Sequence, residues 1–255
     1  MGAKSCHQRY VKCIISYLDR YLVELREPMD VVRMFSGLTS GQQHNLNRAV
    51  RNFLNFHELK GVNADYLNSL RKAIPKEVAT FDLNVPSEEE IRASLRKLDS
   101  APLRYRCLWN LLLDSGLRLT EAVRLINSFD GATEVNGFHR CTLGYFRGTK
   151  LAFAGYFTPH TLKLIRQNRE ELDDRTASHY YSKFGYVAPK YLRKFAFDTM
   201  ISEELGVPES VADFIQGRIP KRIGARHYTK LLRQADGHYP KYVSYLDKLK
   251  RTMKR

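Results

Sequence analysis

The spacing of apolar residues constrains this chain most, because it follows a helical period over much of the sequence. Apolar side chains recur every three or four residues in 5–27, from about Thr39 to Leu59, and over Ala64–Ile74. Pro28 either stops the first of these helices or starts the next one. The first third of the chain is therefore predicted to be a small all-helical unit.

The helical pattern stops between Pro75 and Pro86, a stretch with two prolines and no period. Directly after it, Ser87 precedes Glu90 by three residues, which is the spacing of a capping box at the start of a helix. We therefore expect two domains joined by a linker. The expected parts are a helical domain, the linker and a second domain, at residues 1–75, 76–86 and 87–255.

The second part of the chain has a mixed pattern. Helices are predicted on both sides of a glycine-containing turn at 115–117, over Arg104–Asp114 and Thr120–Ile126. Aromatic and β-branched residues around a second glycine-containing turn predict a β-hairpin within 137–157. From Thr158 onward the pattern is helical again. The expected fold class is mainly α with a small β-hairpin or sheet.

The charge balance points to a polyanionic partner. The chain has 42 Lys and Arg against 27 Asp and Glu, a formal net charge of +15. Nucleic acid is the commonest large anion in a cell, and its phosphates attract basic proteins. A ribosomal or merely basic protein is the alternative. No apolar run approaches the ~18 residues of a membrane span, and no signal peptide or cysteine framework is visible, so we expect a cytoplasmic protein without a membrane partner.

Familiar catalytic patterns are absent from the sequence, whereas basic residues occur where packing is expected. There is no phosphate-binding loop, no Gly-x-Ser-x-Gly elbow and no carboxylate cluster for two metal ions, so no nucleotide, cofactor or metal is predicted. Arg118 stands at a predicted helix start, where a guanidinium suits a phosphate. Lys190 and Arg193 share a face of another predicted helix. For each of these residues alone, solvent exposure is the alternative.

The order of these residues is what makes the chain recognisable. Arg118, a hairpin lysine, Lys190-x-x-Arg193, Gly217 with Arg218, and Tyr228 ten residues later resemble the tyrosine recombinase (phage integrase) family. That family has an arginine in a Gly-Leu-Arg-x-x-Glu box, a lysine on a β-hairpin, a His-x-x-Arg box, a Gly-His or Gly-Trp site and then a tyrosine. Lys190 and Arg218 replace the usual histidine and the usual histidine or tryptophan. This variant resembles the integrases of archaeal spindle-shaped viruses (fuselloviruses) and related archaeal plasmids.

The resemblance implies a site-specific recombinase. Its helical core-binding domain and its catalytic domain would clamp double-stranded DNA attachment sites, as a tetramer on DNA. It would integrate and excise a viral or plasmid genome through a 3'-phosphotyrosine bond. Tyr228 would be the nucleophile, and the three arginines Arg118, Arg193 and Arg218 would stabilise charge on the phosphate without a metal ion.

The proton donor to the leaving 5'-oxygen is predicted from the hairpin. Lys150 is the only lysine in residues 131–157. Arg147 and Lys190 are the alternatives for this role, although arginine holds its proton too tightly to be a good acid. Lys190 would either help to move the proton of the tyrosine or bind phosphate.

Three further alternatives remain open from the sequence. The enzyme class could instead be a type IB topoisomerase, or the protein could bind DNA without cutting it. The nucleophile could be Tyr239, Tyr242 or Tyr245 if Tyr228 is not. A last helix within Tyr239–Met253 could pack on its own domain or on a neighbouring subunit.

Overall fold

The structure is a computed structural model, and it describes residues 8–77, 82–147, 150–218 and 230–251. Its contacts divide the chain into two compact units, Met1–Asp82 and Leu83–Arg255. The division falls within the stretch 76–86 that the sequence predicts to be a linker. Each unit has its own buried apolar cluster.

In its described residues the first unit consists of helices and the loops that join them. Its helices are α1 (Gln8–Tyr21), α2 (Pro28–Phe35), α3 (Ser40–Leu59) and α4 (Ala64–Ala73). Val31 of α2, Leu46 and Val50 of α3, and Leu67 and Leu70 of α4 are almost fully buried. Their apolar sides therefore form the core of this unit.

Helix α1 ends at Tyr21, six residues before the predicted end at 27. The carboxylate of Asp30 accounts for the last two of these six residues, because it accepts hydrogen bonds of 2.9 Å from the backbone amides of both Arg26 and Glu27. Both amides are hydrogen-bonded to a side chain in the first turn of the next helix, so they do not continue α1. Pro28 occupies the first turn of α2, so it starts that helix rather than only stopping the previous one.

The second unit contains the remaining helices and the sheet. Along the chain they are α5 (Glu88–Leu98), α6 (Leu103–Ser115), α7 (Leu119–Asn127), β1 (Thr133–Val135), β2 (Phe138–Arg147), β3 (Lys150–Phe157), α8 (Pro159–Gln167), α9 (Asp174–Lys183), α10 (Pro189–Ile201), α11 (Glu209–Ile215) and α12 (Leu231–Arg251). The strands form an antiparallel sheet in the order β1-β2-β3. The predicted fold class, mainly α with a small sheet, is confirmed.

The predicted capping box starts α5. The Ser87 side chain accepts a hydrogen bond from the amide of Glu90 at 3.3 Å, and the Glu90 carboxylate accepts one from the amide of Ser87 at 2.8 Å. The two residues satisfy amides that the first turn of a helix otherwise leaves without partners.

Helices α6 and α12 lie at the centre of the second unit. The α6 side chains Cys107 to Leu113 are almost entirely buried, including Trp109. On α12, Tyr239, Tyr242, Leu246 and Leu249 are fully buried in the same cluster. Over residues 231–251 the last helix therefore packs on its own unit, which decides between the two alternatives for its docking.

Within the described ranges, no helix has both the length and the apolar character needed to cross a bilayer.

Candidate active site

The turn between α6 and α7 positions Arg118. Gly116 ends α6 in the left-handed conformation, at φ +60°, and its amide donates to the carbonyl of Leu112 at 2.9 Å. Arg118 follows as the N-cap residue of α7. Its Nη1 donates to Oε1 of Glu121 at 2.6 Å, and its backbone amide donates to Oε2 of the same carboxylate at 3.0 Å. One glutamate therefore holds both the backbone and the guanidinium of Arg118.

Arg193 on α10 reaches the same turn from the other side. Its Nη1 donates to the carbonyl oxygens of Gly116 and Gln216, each at 2.6 Å. Its Nη2 is buried and has no hydrogen-bond partner in the described part of the chain. Leaving a buried donor of a charged group without a partner costs free energy. This atom is therefore a candidate ligand-binding donor.

The segment that follows α11 joins the two arginines. Gln216 is fully buried, and its Nε2 donates to the backbone carbonyl of Arg193 at 2.9 Å. The next carbonyl, of Gly217, accepts a hydrogen bond of 2.9 Å from Nη1 of Arg118. Gly116 lies so close to Gln216 that a Cβ at position 116 would be 2.9 Å from a side-chain carbon of Gln216.

Arg218 completes the group at the end of this segment. Its backbone amide donates to the carbonyl of Asp213 at 2.8 Å, and its Nη1 forms an ion pair of 3.2 Å with Oδ1 of Asp213. The guanidinium carbon lies 4.7 Å from the centre of the Phe197 ring. The structure thus brings together the three predicted arginines, although they are far apart in the sequence.

The electrostatics of the cluster favour an anion. Burial, and then the positive charges of Arg218 and Arg118, lower the pKa of Arg193 to about 9. The guanidinium is still charged at neutral pH, so three like charges lie close together. A phosphate group among them would relieve their repulsion and would accept charge-assisted hydrogen bonds from their forks.

Lys190 has different surroundings from Arg193, although both lie on α10. It is exposed in the first turn of the helix, with its Nζ 4.3 Å from the centre of the Tyr191 ring. Arg193 instead points into the turn formed by Gly116 and Gln216. Of the two residues predicted to share a face of the helix, Lys190 is thus exposed, whereas the guanidinium of Arg193 is hydrogen-bonded to the turn.

Two of the predicted site residues can be placed only in part. Lys150 begins β3, and its Cα pairs with that of Arg147 at the end of the β2–β3 hairpin. The side chains of both residues fall outside what the structure describes, as does Tyr228 entirely. Their chemical roles stay predictions.

The alternative nucleophiles on α12 are engaged elsewhere. The hydroxyl of Tyr239 donates to the carbonyl of Asp114, and that of Tyr242 donates to the carbonyl of Leu113, each at 2.9 Å. Burial raises the pKa of both phenols well above their usual range. The hydroxyl of Tyr245 donates a hydrogen bond to the carboxylate of Glu88, and burial raises the pKa of this phenol as well. These contacts make the three tyrosines structural residues of the second unit.

A second buried charge lies at the end of α6, four residues before Arg118. Asp114 is fully buried. One of its oxygens, Oδ2, accepts hydrogen bonds from the amide of Thr158 at 2.9 Å and from the hydroxyls of Thr158 and Thr161 at 2.7 and 2.6 Å. The other oxygen forms an ion pair of 3.1 Å with Nζ of Lys250. This carboxylate therefore ties the end of α6 to α8 and α12.

Several of these partners are not among the site residues predicted from the sequence. Glu121 could have been found, because it follows Arg118 at the three-residue spacing of a capping box. Gln216, Asp213 and Asp114 give no such local signal, since their contacts are set by the tertiary fold. Among the described residues, no group of three histidine, cysteine or acidic side chains could hold a metal ion.

Solved integrases share this fold. A lambda integrase dimer bound to a COC' core site matches with a TM-score of 0.62 and 14% identity, over 85% of this chain and 90% of that one. A second lambda integrase dimer on a COC' core site gives 0.62 and 13%, over 91% and 73%. XerA recombinase matches at 0.40 and 16%, over 91% of each chain, which is too loose to support an argument. No curated protein sequence matches this chain significantly.

The family follows from residues 83–245, which match the family model of the archaeal phage integrases. The chain belongs to this family. It is a site-specific tyrosine recombinase, an enzyme that cleaves and rejoins DNA. This assignment replaces the two alternatives of a non-enzymatic binding protein and a type IB topoisomerase.

Proposed function

We propose that this recombinase cleaves double-stranded DNA at attachment sites by forming a 3'-phosphotyrosine bond at Tyr228, and that it integrates and excises a viral or plasmid genome. The observation that carries the proposal is the convergence of Arg118, Arg193 and Arg218 on one turn, with a buried donor of Arg193 left over. Such a set of fixed donors suits the charge that develops on a phosphate under attack.

In the proposed reaction the phenol of Tyr228 loses its proton, to water directly or by way of Lys190, and its oxygen attacks the scissile phosphorus. The bond from phosphorus to the 5'-oxygen breaks, and its electron pair stays on that oxygen. Lys150 supplies the proton that the 5'-oxygen needs in order to leave. Rejoining runs in reverse, because the phosphotyrosine bond conserves the energy of the phosphodiester.

The arginines take the part that a metal ion plays in other DNA-cleaving enzymes. Arg118 and Arg193 are fixed by carbonyl oxygens and by Glu121, so they need little reorganisation when the transition state forms. Lys190, exposed at the start of α10, binds a neighbouring phosphate or helps to move the proton of Tyr228. The net charge of +15 supports binding along a duplex.

The proposed assembly is a tetramer on DNA. Exchange between two duplexes requires four strand cuts, and one active site per chain supplies one cut. The lambda integrase structures are dimers on a core site, which is half of that number. The helical first unit is proposed to be the core-binding domain, holding the duplex while the second unit cuts it.

A suicide substrate tests the nucleophile. A duplex nicked beside the cleavage site loses the short strand end after attack, so the covalent complex accumulates. We expect a covalent complex that maps by peptide sequencing to Tyr228, and none from Tyr228→Phe, which should still bind the duplex. Tyr245→Phe is the matched control and should form the complex. An adduct on any other residue would contradict the proposal.

A further inference from the structure

A carboxylate on α12 contacts both strands of the β2–β3 hairpin. Oδ2 of Asp236 forms an ion pair of 2.5 Å with Nη1 of Arg140 on β2. Oδ1 accepts a hydrogen bond of 3.4 Å from the hydroxyl of Tyr156 on β3. Arg140 and Tyr156 face each other in the register of the two strands. We call Arg140, Tyr156 and Asp236 the hairpin-base cluster.

The hairpin-base cluster is well suited to fix the position of the β2–β3 hairpin relative to α12. The side chains of Arg140 and Asp236 are only 20% and 21% exposed, so water competes little for either partner. Tyr156 is fully buried, and burial together with the charge of Asp236 raises the pKa of its phenol well above the usual range. Its hydroxyl therefore stays protonated at neutral pH and donates to Asp236.

The same two strands carry the predicted proton donor. Lys150 starts β3, six residues before Tyr156, which corresponds to about 20 Å of extended strand. Between the cluster and Lys150 the register shifts at Thr142/Tyr145, and Gly144 there has a φ of +57°. A bulge bends a hairpin. The direction of the far end therefore depends on how the base below the bulge is held.

The helix that holds the base is itself firmly anchored. Tyr239 and Tyr242 follow Asp236 on α12 and bond to carbonyls at the end of α6, just before the turn that carries Arg118. Asp236 also follows Tyr228 by only eight residues in the sequence. The hairpin-base cluster thus connects the hairpin to the element that is fixed beside the arginines.

We propose that Asp236 is a positioning residue that, through Arg140 and Tyr156, orients the β2–β3 hairpin so that Lys150 delivers its proton to the leaving 5'-oxygen. The inference rests on the proposed function, in which Lys150 is the general acid. Asp236 itself touches no reacting atom. Its removal should therefore impair proton delivery and spare the attack on phosphorus.

A leaving group that needs no proton separates these effects. In a substrate whose 5'-bridging oxygen is replaced by sulfur, the phosphorus–sulfur bond breaks and a thiolate leaves unprotonated. The substrate is a duplex with the attachment site, identified by sequencing DNA ends trapped on the wild-type protein. Single-turnover cleavage by Asp236→Asn should fall by up to about 10²-fold on the oxygen substrate, because a small misplacement of a catalytic group can cost that much. On the sulfur substrate its rate should be close to that of the wild type.

Two variants calibrate this result. Lys150→Ala should show the same pattern more strongly, since it removes the acid itself. Asp247→Asn makes the same change of charge at an exposed position on the same helix, and both of its rates should match the wild type. If Asp236→Asn does not fold, Tyr156→Phe removes a single hydroxyl of the cluster and should give the same pattern with a smaller difference.

The outcomes distinguish the inference from the proposal beneath it. Equal slowing of Asp236→Asn on both substrates, or no slowing on either, would overturn the positioning role while Lys150→Ala still shows sulfur rescue. Absence of rescue for Lys150→Ala would overturn the general-acid assignment, and the positioning role with it. Rescue of Arg147→Ala instead would move the acid to Arg147. The trapped adduct at Tyr228 does not depend on any of these results.

Discussion

Two charged clusters lie at the end of α6, and they differ in how completely their buried charges are paired. Asp114 carries one negative charge and receives three hydrogen bonds from threonines as well as the ammonium of Lys250. The arginine cluster sets three guanidiniums against the two carboxylates of Glu121 and Asp213. It also leaves Nη2 of Arg193 buried without a described partner.

The difference shows how a binding site can be told from a structural ion pair. A buried charge whose partners are complete contributes to holding elements in place, and removing one partner is costly. A cluster with an excess of one sign and an unused donor costs stability in the free protein. Such an excess is retained where a ligand of the opposite sign supplies the missing partner. Asp114 fits the first description and Arg193 fits the second.

The largest expected effect is on stability, at Asp114. Asp114→Asn leaves Lys250 without its counter-charge and three donors with a weaker acceptor. We expect the free energy of unfolding to fall by about 3–5 kcal/mol, as for other broken buried pairs. Urea unfolding of the full chain, followed by tryptophan fluorescence of Trp109, measures the loss.

Lys250→Met is the control for this change. Lys250 is partly exposed, and its loss leaves Asp114 with all of its threonine donors. Because the buried carboxylate then lacks its counter-charge, the free energy of unfolding should fall here too, but by less than in Asp114→Asn, since the three threonine hydrogen bonds remain. Equal stability of Asp114→Asn and the wild type would show that the two clusters do not differ as described.

Arg193→Met should give the reverse pattern. Single-turnover cleavage should fall by about 10²–10³-fold, since one preorganised donor to the developing charge is lost. The free energy of unfolding should change much less than in Asp114→Asn, because removal of a buried like charge offsets the loss of the two hydrogen bonds to the carbonyls of Gly116 and Gln216. The two measurements, made on the same preparation, check both halves of the expectation.

Arg118→Ala and Arg218→Ala rank the cluster around Arg193. Arg118→Ala should slow cleavage strongly, whereas Arg218→Ala should matter least, since the resemblance places other residue types at that position.

If Arg193→Met unfolds at a urea concentration as low as Asp114→Asn does, Arg193 is a structural residue. The contrast between the Asp114 cluster and the arginine cluster would then fail.

The smallest expected effect is stabilisation by an inorganic anion. Sulfate bound among the arginines at ten times its dissociation constant would add about 1.4 kcal/mol to the free energy of unfolding. Sulfate also stabilises proteins in general by exclusion from their surfaces. The informative quantity is therefore the difference between the wild type and Arg193→Met, measured at matched ionic strength. Equal stabilisation of both proteins would count against an anion site.

The parts of the fold that the sequence predicted well depend on neighbouring residues. The start of α5 follows from Ser87 and Glu90 alone, and Pro28 is compatible with a helix start by its own ring geometry. The end of α1 was predicted six residues too late, and at least Arg26 and Glu27 are kept out of that helix by Asp30 of the next one. The spacing of apolar residues cannot show that a side chain of the next helix binds backbone amides at the end of the previous one.

The candidate site divides in the same way. The order of Arg118, Arg193, Arg218 and Tyr228 is visible in the sequence because each belongs to a short motif. The contacts of Gln216 with Arg193, and of Asp236 with Arg140, join residues 23 and 96 positions apart. Only the tertiary fold brings such pairs together, so no periodicity or spacing could have predicted them.

Gly116 has a consequence for the genetics of this enzyme. Its left-handed backbone and its contact with Gln216 leave no room for even the methyl group of alanine. Its carbonyl and that of Gln216 both hold Nη1 of Arg193, so any adjustment to a new side chain would displace that guanidinium. A screen for inactive alleles should therefore recover position 116 beside the arginine codons, although glycine has no side chain with which to do chemistry.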